Sequence, residues 1–166
     1  MSCENVMIRP AVPEDAAAID IILSTYFLDR DDLPHDSFFV AEINDKVIGC
    51  GVFEKITSAE TGLVFYEIHT IAVLPSYKNK GYGRLLLERL LFEIENEAVP
   101  PVSKTIYTRT TAPEFFIRFG FSKADPALKK KLWDECVLCG KFEACAQTLL
   151  YKETGYCHSK MNGAEK

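Results

Sequence analysis

The stretch HTIAVLPSYKNKGYGRLLLERL, residues 69–90, joins a strand pattern, a glycine loop and a helix pattern. It continues an apolar, β-rich run over residues 63–74, which is too apolar for an exposed edge strand and predicts a central strand. From Tyr82 to about Glu97 the periodicity is helical. One face of this helix is apolar, with Leu86, Leu87, Leu90, Leu91 and Ile94.

The loop between these elements, YKNKGYGR at residues 77–84, has the composition of an anion site. A helix N-terminus offers unpaired N–H groups, and Gly81 and Gly83 let them converge without a Cβ in the way. A phosphate or pyrophosphate is the expected ligand. Neither GxxxxGK[ST] nor GxGxxG is matched, because Leu86 occupies the third glycine position of the latter. On these residues alone, a turn without a ligand is an equal alternative.

The bulk composition excludes several classes of protein. The 166 residues fit one domain, and a net charge of -5 argues against a general nucleic-acid binder. No apolar run reaches the length of a membrane helix, and residues 1–10 do not form a signal peptide. We therefore expect a cytoplasmic protein with neither a nucleic-acid nor a membrane partner.

The flanking segments complete a mixed α+β pattern on one sheet. A strand and a helix lie near the N-terminus, and Asn44-Asp45 predicts a hairpin between two further strands before residues 69–90. After it come the strand KTIYTRT, the short helix PEFFIRF, a helix in ALKKKLWDEC and the last strand QTLLYKE. We predict one domain over residues 1–155, with a cysteine-containing part at 133–158 and a frayed tail at 156–166.

The central stretch resembles motif A of the GCN5-related N-acetyltransferases (GNAT), V-x-P-x-[Y/F]-[Q/R]-x-x-G-x-[G/A]. The matching residues are Val73, Pro75, Tyr77, Gly81 and Gly83, whereas Lys78 departs mildly from the pattern. The stretch APEFFIRFGF resembles motif B, and the likeness covers most of residues 6–122. The resemblance implies the GNAT fold, a central mixed and mostly antiparallel sheet flanked by helices.

Acetyl-CoA as co-substrate is the next implication of the resemblance. In the family, the glycine loop holds the pyrophosphate and the preceding strand's backbone holds the pantetheine arm. The residues carried over to the cofactor site are Ile71, Ala72, Val73, Lys78, Asn79, Lys80, Gly81, Tyr82, Gly83, Arg84 and Phe115.

Acetyl transfer to an ammonium group requires a base, and the central strand offers two candidates. Strict alternation places Glu67 and His69 on one face, about 7 Å apart, together with Leu63, Phe65, Ile71 and Val73. Glu67 also stands where many family members place their general base. We expect Glu67 to be the base and His69 to assist it or to contact the substrate. The alternative is a structural pair, with Glu67 in a salt bridge to a helix and His69 packed.

The motif B tyrosine, a general acid in many family members, is Phe116 here. Tyr82 or Tyr107 could serve instead, or CoA could leave as the thiolate. The missing acid also keeps open a CoA-binding sensor without turnover.

The acceptor is expected from a second likeness, because RTTAPEFFIRFGF resembles the acetyltransferase domain of N-acetylglutamate synthases. This likeness implies a short, stand-alone relative that acetylates L-glutamate, with Arg109, Arg118 and Thr110 at the substrate. Another amino acid, a polyamine, or a protein lysine or N-terminus are the alternatives. A homodimer is common among relatives, although no pattern in this sequence indicates one.

Cysteines cluster in WDECVLCGKFEAC. Cys136, Cys139 and Cys145 could ligate a structural zinc with help from Cys157 or His158. A redox pair and a set of reduced thiols are the alternatives.

Overall fold

The computed structural model describes residues 5–97 and 104–154. Its strands are β1 (Met7–Pro10), β2 (Phe39–Ile43), β3 (Lys46–Thr57), β4 (Val64–Val73), β5 (Lys104–Thr110), β6 (Ser122–Lys123) and β7 (Thr148–Thr154). Its helices are α1 (Ala16–Thr25), α2 (Tyr82–Asn96), α3 (Pro113–Ile117), α4 (Leu128–Leu132) and α5 (Asp134–Val137). The frayed tail predicted for 156–166 lies outside the described residues.

The seven strands form one sheet in the order β1-β2-β3-β4-β5-β7-β6. Only the pairing of β4 with β5 is parallel among the described strands, and the other pairs are antiparallel. This confirms the predicted mixed, mostly antiparallel sheet. Within the described residues, no helix combines the length and apolarity needed to cross a membrane.

Helices cover both faces of the sheet. On α2, Leu86, Leu87, Leu90 and Ile94 are fully buried, as predicted, and Leu91 is half-buried. On the opposite face, α1 buries its own apolar residues against Val40, Cys50, Val52 and Ala72. The sheet is therefore the middle layer of the domain, and β4 lies at its centre.

The hairpin between β2 and β3 is confirmed. Ile43 pairs with Lys46, and the two residues between them, Asn44 and Asp45, have φ values of 50° and 61°. Left-handed backbone at both central positions is the geometry of a tight hairpin turn, and Asn and Asp tolerate it well.

A β-bulge at His69 corrects the predicted alternation of β4. Thr70 pairs with Val52, whereas Ile68 pairs with the next residue of β3, Phe53, so His69 is an extra residue. Tyr66 and Ile68 therefore pack toward α2 before the bulge, and Ile71 does so after it. Ile71 and Val73 do not share a face with Glu67, because the inserted residue reverses the order of the faces.

The parallel contact between β4 and β5 is short. Within the described residues the two strands pair only at Tyr66 and Glu67, although β4 continues to Val73. The Thr108 hydroxyl donates to the Ile68 carbonyl at 3.0 Å, where the ladder ends. The C-terminal half of β4 thus has an edge that no described strand covers.

The helix expected in ALKKKLWDEC is interrupted. α4 ends at Leu132, Trp133 is extended with φ -123° and ψ 120°, and α5 begins at Asp134. Trp133 is buried to 3% exposure among Phe65, Leu132 and Leu149. The break turns the Trp133 indole into the interior of the domain. The helical pattern of the sequence instead predicts one continuous helix over this segment.

The buried face of α2 generates the first prediction. Leu90→Ala should lower the free energy of unfolding by about 2–5 kcal/mol, because it leaves a cavity between α2 and the sheet. Leu138→Ala, the same change at a residue that is 88% exposed, should alter it by less than about 0.5 kcal/mol. Guanidinium denaturation of both variants measures the difference, and equal losses would contradict this packing.

Candidate active site

The glycine loop adopts a conformation that leaves a helix end open. Asn79 and Gly81 have φ values of 61° and 89°, and Gly81 is the N-cap of α2. No side chain of the described residues caps this helix end, and a Cβ on Gly81 would have no neighbour within 4 Å. The first N–H groups of α2 therefore face a space that an anion can enter.

The cations of the loop rest on aromatic rings. Lys78 Nζ lies 4.4 Å from the centre of the Tyr26 ring, and Lys80 Nζ lies 5.5 Å from that of Tyr77. Arg84 pairs with Glu88 one turn along α2 at 2.7 Å. Tyr82 is buried in the first turn of the helix. The loop thus carries three exposed positive charges next to its open N–H groups.

The uncovered edge of β4 lies beside this loop. The Leu74 N–H donates to the Ile48 carbonyl of β3 at 2.8 Å, so by alternation the backbone groups of Ile71 and Val73 point away from β3. The Tyr26 hydroxyl donates to the Val73 carbonyl. Ala72, by the same alternation, directs its backbone groups toward β3.

Phe115 joins this side of the domain through α3. A Cβ on Gly83 would lie 3.5 Å from the Phe115 ring, so the ring rests on the first turn of α2. The ring also contacts Phe116 and Phe119 edge-on. Phe115 therefore fixes α3 against the glycine loop.

A cleft of about 450 Å³ lies on the opposite face of β4 from α2. Its size is in the range of small-ligand sites. Glu67 and His69 both line it, which confirms that they share a face. The other lining residues are Asp31, Glu54, Ile56, Thr57, Arg109, Leu132, Trp133, Asp134 and Glu135.

Glu67 is the most buried ionisable group in this cleft, with an exposure of 3%. Arg109 on β5 donates two hydrogen bonds to the Glu67 carboxylate, from Nε to Oε1 at 2.8 Å and from Nη2 to Oε2 at 3.2 Å. The Trp133 indole donates to Oε2 at 2.8 Å, and its ring lies 4.3 Å from the guanidinium. Burial opposes the charge on Arg109, but the hydrogen bonds and charges of Glu67 and Glu135 raise its pKa.

His69 also has partners on both ring nitrogens. Nε2 lies 3.0 Å from Asp31 Oδ2, and Nδ1 lies 3.0 Å from the Thr70 hydroxyl. Asp31 belongs to the connection between α1 and β2 and has a left-handed φ of 49°. The bulge therefore directs His69 toward a carboxylate that is distant in sequence.

Glu54 is a cleft residue that the sequence analysis missed. It lies on β3 directly opposite Glu67 in the register, and its carboxylate makes no hydrogen bond or ion pair within the described residues. Burial is the main cause that raises its pKa; the charge of His69 opposes the rise, and the charges of Glu67, Asp31 and Glu135 add to it. The cross-strand pairing with Glu67 was the signal that could have identified it.

Two of the predicted substrate residues lie elsewhere. Arg118 is exposed at the end of α3, and the Thr110 hydroxyl accepts from the Ala112 N–H at 2.9 Å. Neither lines the cleft with Arg109.

Neither Tyr82 nor Tyr107, the two candidates for the general acid, lines this cleft, and the motif B position, Phe116, does not line it either. Phe116 is buried in the core cluster on the α2 side of the sheet. Tyr107 lies among the rings of Phe65, Trp133 and Tyr151 and lines a separate cleft, and its pKa is raised, mainly by burial.

The cysteines do not form the predicted zinc site in the described part of the chain. No three His, Cys, Asp or Glu side chains converge as metal ligands within residues 5–97 and 104–154. Instead, Cys136 Sγ lies 3.5 Å from Arg109 Nη1, and Cys145 Sγ lies 3.5 Å from Lys129 Nζ. Cys157 and His158 lie outside the described residues. The spacing suggested a ligand set, but two of its thiols contact cations.

Comparison with solved structures identifies the fold. N-acetylglutamate synthase from Neisseria gonorrhoeae, complexed with coenzyme A and N-acetyl-glutamate, superposes with a TM-score of 0.72 at 20% identity. The match covers 91% of this chain and 35% of that one, so this chain spans about a third of the synthase. A Mycobacterium tuberculosis protein in complex with CoA superposes with a TM-score of 0.70 at 22% identity, over 90% of this chain and 99% of that one.

Sequence comparison identifies the family. An uncharacterized N-acetyltransferase of Chlorobaculum tepidum is 32% identical over 116 residues, which are 69% of each chain. The Haemophilus influenzae enzyme that acetylates the alanine of ribosomal protein bS18 is 26% identical over 82 residues, 49% of this chain and 52% of that one. Residues 34–123 match the family profile of the acetyltransferase (GNAT) domain. The chain therefore belongs to the GNAT family of N-acetyltransferases.

Proposed function

We propose that this N-acetyltransferase moves the acetyl group of acetyl-CoA directly to a primary amine bound in the cleft of Glu67. The observation that carries the proposal is the position of β4, which has an uncovered edge beside the open N-terminus of α2 and an acidic cleft on one face. A thioester that runs along this edge would reach the amine from the side of the glycine loop. Coenzyme A in complexes of the structural relatives supports this assignment.

The cofactor half of the site fits acetyl-CoA. The N–H groups of α2, with Lys78, Lys80 and Arg84 near them, suit a pyrophosphate. Ile71 and Val73 present backbone groups to the uncovered edge, as an amide-containing pantetheine arm requires. These groups bind and orient the thioester, and no metal is needed for the step.

The acceptor half of the site contains two candidates for the general base, Glu67 and Glu54. The sequence hypothesis makes Glu67 the base, but three donors already occupy most of the four acceptor positions of its carboxylate. Glu54 is unpaired among the described residues and has a raised pKa, which brings it closer to the optimum for a base near neutral pH. We assign proton abstraction to Glu54 and a positioning role to Glu67, whose ion pair with Arg109 fixes the wall of the cleft. His69 and Asp31 lie at the side of the cleft.

L-Glutamate is the acceptor that the family resemblance suggests. The likeness to N-acetylglutamate synthase favours it, and Arg109 is the cleft's one guanidinium among the described residues. A substrate carboxylate would have to displace Glu67 or Glu135 from Arg109. We therefore retain glutamate as the second candidate, behind amines that carry no carboxylate.

Mass spectrometry of the products tests the function. The protein is incubated with acetyl-CoA and a mixture of the twenty amino acids and aliphatic polyamines, and we expect one acetylated amine with an equal amount of free CoA. Heat-inactivated protein controls for spontaneous acetylation. Acetyl-CoA that binds but is never transferred to any amine or peptide would contradict the proposal.

Gly81→Ala tests the cofactor half. A Cβ at φ 89° costs about 1–2 kcal/mol, so the loop should relax away from its binding conformation and acetyl-CoA should bind about tenfold more weakly. Gly62→Ala is the matched control, because Gly62 also has a left-handed φ of 69° and open space but lies between β3 and β4. Calorimetric titration with acetyl-CoA measures both, and equal affinities would remove the loop from the site.

Glu54→Gln tests the base. Turnover requires the deprotonated carboxylate, so wild-type kcat should fall as the pH drops through the raised pKa of Glu54. In Glu54→Gln, kcat should be lower by about 100-fold or more, and the decrease of kcat at acidic pH (the acidic limb of the pH profile) should be absent. Glu60→Gln, at an exposed turn, should retain the wild-type kcat and the acidic limb.

Glu67→Gln distinguishes the two carboxylates. It breaks a buried ion pair, so we expect a loss of about 3–5 kcal/mol in unfolding free energy in addition to lower turnover. If Glu67→Gln abolished the acidic limb of the pH profile and Glu54→Gln preserved it, Glu67 would be the base.

A further inference from the structure

We propose that the acceptor is an amine that carries a second cationic group, such as an aliphatic diamine, selected by Asp31, Glu54 and Glu135. This inference rests on the proposed function and specifies the substrate class of the same cleft. It departs from the glutamate expectation because it derives from the charges that line the cleft.

The cleft has an excess of negative charge. Among the described residues, five carboxylates line it, from Asp31, Glu54, Glu67, Asp134 and Glu135, against the single guanidinium of Arg109 and the imidazole of His69. They come from four separate segments of the chain, namely the connection after α1, strands β3 and β4, and α5. A cluster of this kind attracts cations and repels a substrate that carries carboxylates.

The one guanidinium is already engaged. Nε and Nη2 of Arg109 bind Glu67, and Nη1 lies 3.0 Å from Glu135 Oε1 and 3.5 Å from Cys136 Sγ. The Trp133 ring stacks on the guanidinium. Each guanidinium nitrogen of Arg109 thus has a protein partner. A glutamate substrate would need these nitrogens for its own carboxylate, but they are engaged by the carboxylates of the cleft.

Three carboxylates of the cleft lie outside this pairing. The Glu54 and Asp134 side chains make no hydrogen bond or ion pair among the described residues, and Asp31, whose side chain is 69% exposed, pairs with His69 alone among them. Glu135, although paired with Arg109, adds a fourth negative group that is 65% exposed. One ammonium group would pair with the Glu54 carboxylate near the reacting centre, and the exposed carboxylates of Asp31 and Glu135 would attract a second cation.

The reaction balances with such a substrate. The ammonium loses a proton to Glu54, and the neutral nitrogen attacks the thioester carbonyl, so that a C–N bond forms and the C–S bond breaks. The second nitrogen proton protonates the leaving CoA thiolate, and Glu54 releases its proton to solvent. The products are the monoacetylated diamine, which keeps its other ammonium, and CoA.

The experiment compares three acceptors of defined charge. With saturating acetyl-CoA, kcat/KM is measured by mass spectrometry for putrescine, for butylamine, which lacks the second ammonium, and for L-glutamate. We expect putrescine to exceed butylamine by about tenfold, because its second ammonium gains about threefold from each of two exposed carboxylates, Asp31 and Glu135. Glutamate should be the poorest of the three.

Variants of the cleft carboxylates test which side chains cause the preference for putrescine over butylamine. Glu135→Gln and Asp31→Asn change exposed side chains, so the fold should persist, and each should reduce the ratio of putrescine to butylamine about threefold or more. Glu93→Gln, an acidic residue on α2 outside the cleft, is the matched control and should leave the ratio unchanged.

The outcomes separate this inference from the proposed function. Equal kcat/KM for putrescine and butylamine, or a preference for L-glutamate, would overturn the inference and leave the amine acetyltransferase intact. Acetylation of a lysine peptide without acetylation of putrescine would also overturn it. Acetyl-CoA binding with no transfer to any amine or peptide would overturn the proposed function, and the inference with it.

Discussion

The buried carboxylate of Glu67 constrains the acceptor side of this domain. A charge in an apolar strand is costly unless it is paired and hydrogen-bonded, and Arg109 and Trp133 provide both kinds of partner. Trp133 can reach Glu67 because the helical segment is broken between α4 and α5. One charge on β4 therefore fixes the rotamer of a β5 arginine and the path of the chain before β7.

The bulge at His69 separates the two halves of the site. Before it, odd-numbered residues of β4 face the acidic cleft, and after it the strand is out of phase and directs Ile71 toward α2. The pairing with β5 ends just before the bulge, which leaves the backbone of the second half of β4 uncovered by any described strand. The same irregularity thus creates an edge for an extended ligand and turns His69 toward Asp31.

The sequence predicted the local features and missed the long-range ones. The Asn44-Asp45 turn, the apolar face of α2 and the open loop around Gly81 follow from backbone preferences and periodicity, which a few adjacent residues encode. The bulge does not, since an insertion is visible only when Val52 and Phe53 are paired across the sheet. Glu67 and Arg109 were each assigned a role toward a ligand, but pairing with each other occupies both. Glu54, Asp31 and Glu135 resemble ordinary surface charges until the fold brings them to one cleft.

The cofactor half of the site uses backbone groups, whereas the acceptor half uses side chains. For this reason, membership of the family identifies the cofactor more readily than the acceptor. The cofactor half consists mainly of backbone groups at the end of β4 and the start of α2, whose positions depend on two glycines and a strand edge. The acceptor half consists of side-chain carboxylates, three of which (Asp31, Asp134 and Glu135) lie on segments outside the sheet. Substitution of those side chains would change the charge of the cleft without disturbing the sheet, so a shared fold at about 20% identity carries little information about the amine. The charge of this cleft, and the engagement of its one arginine, are therefore better guides to the acceptor than the resemblance of the fold.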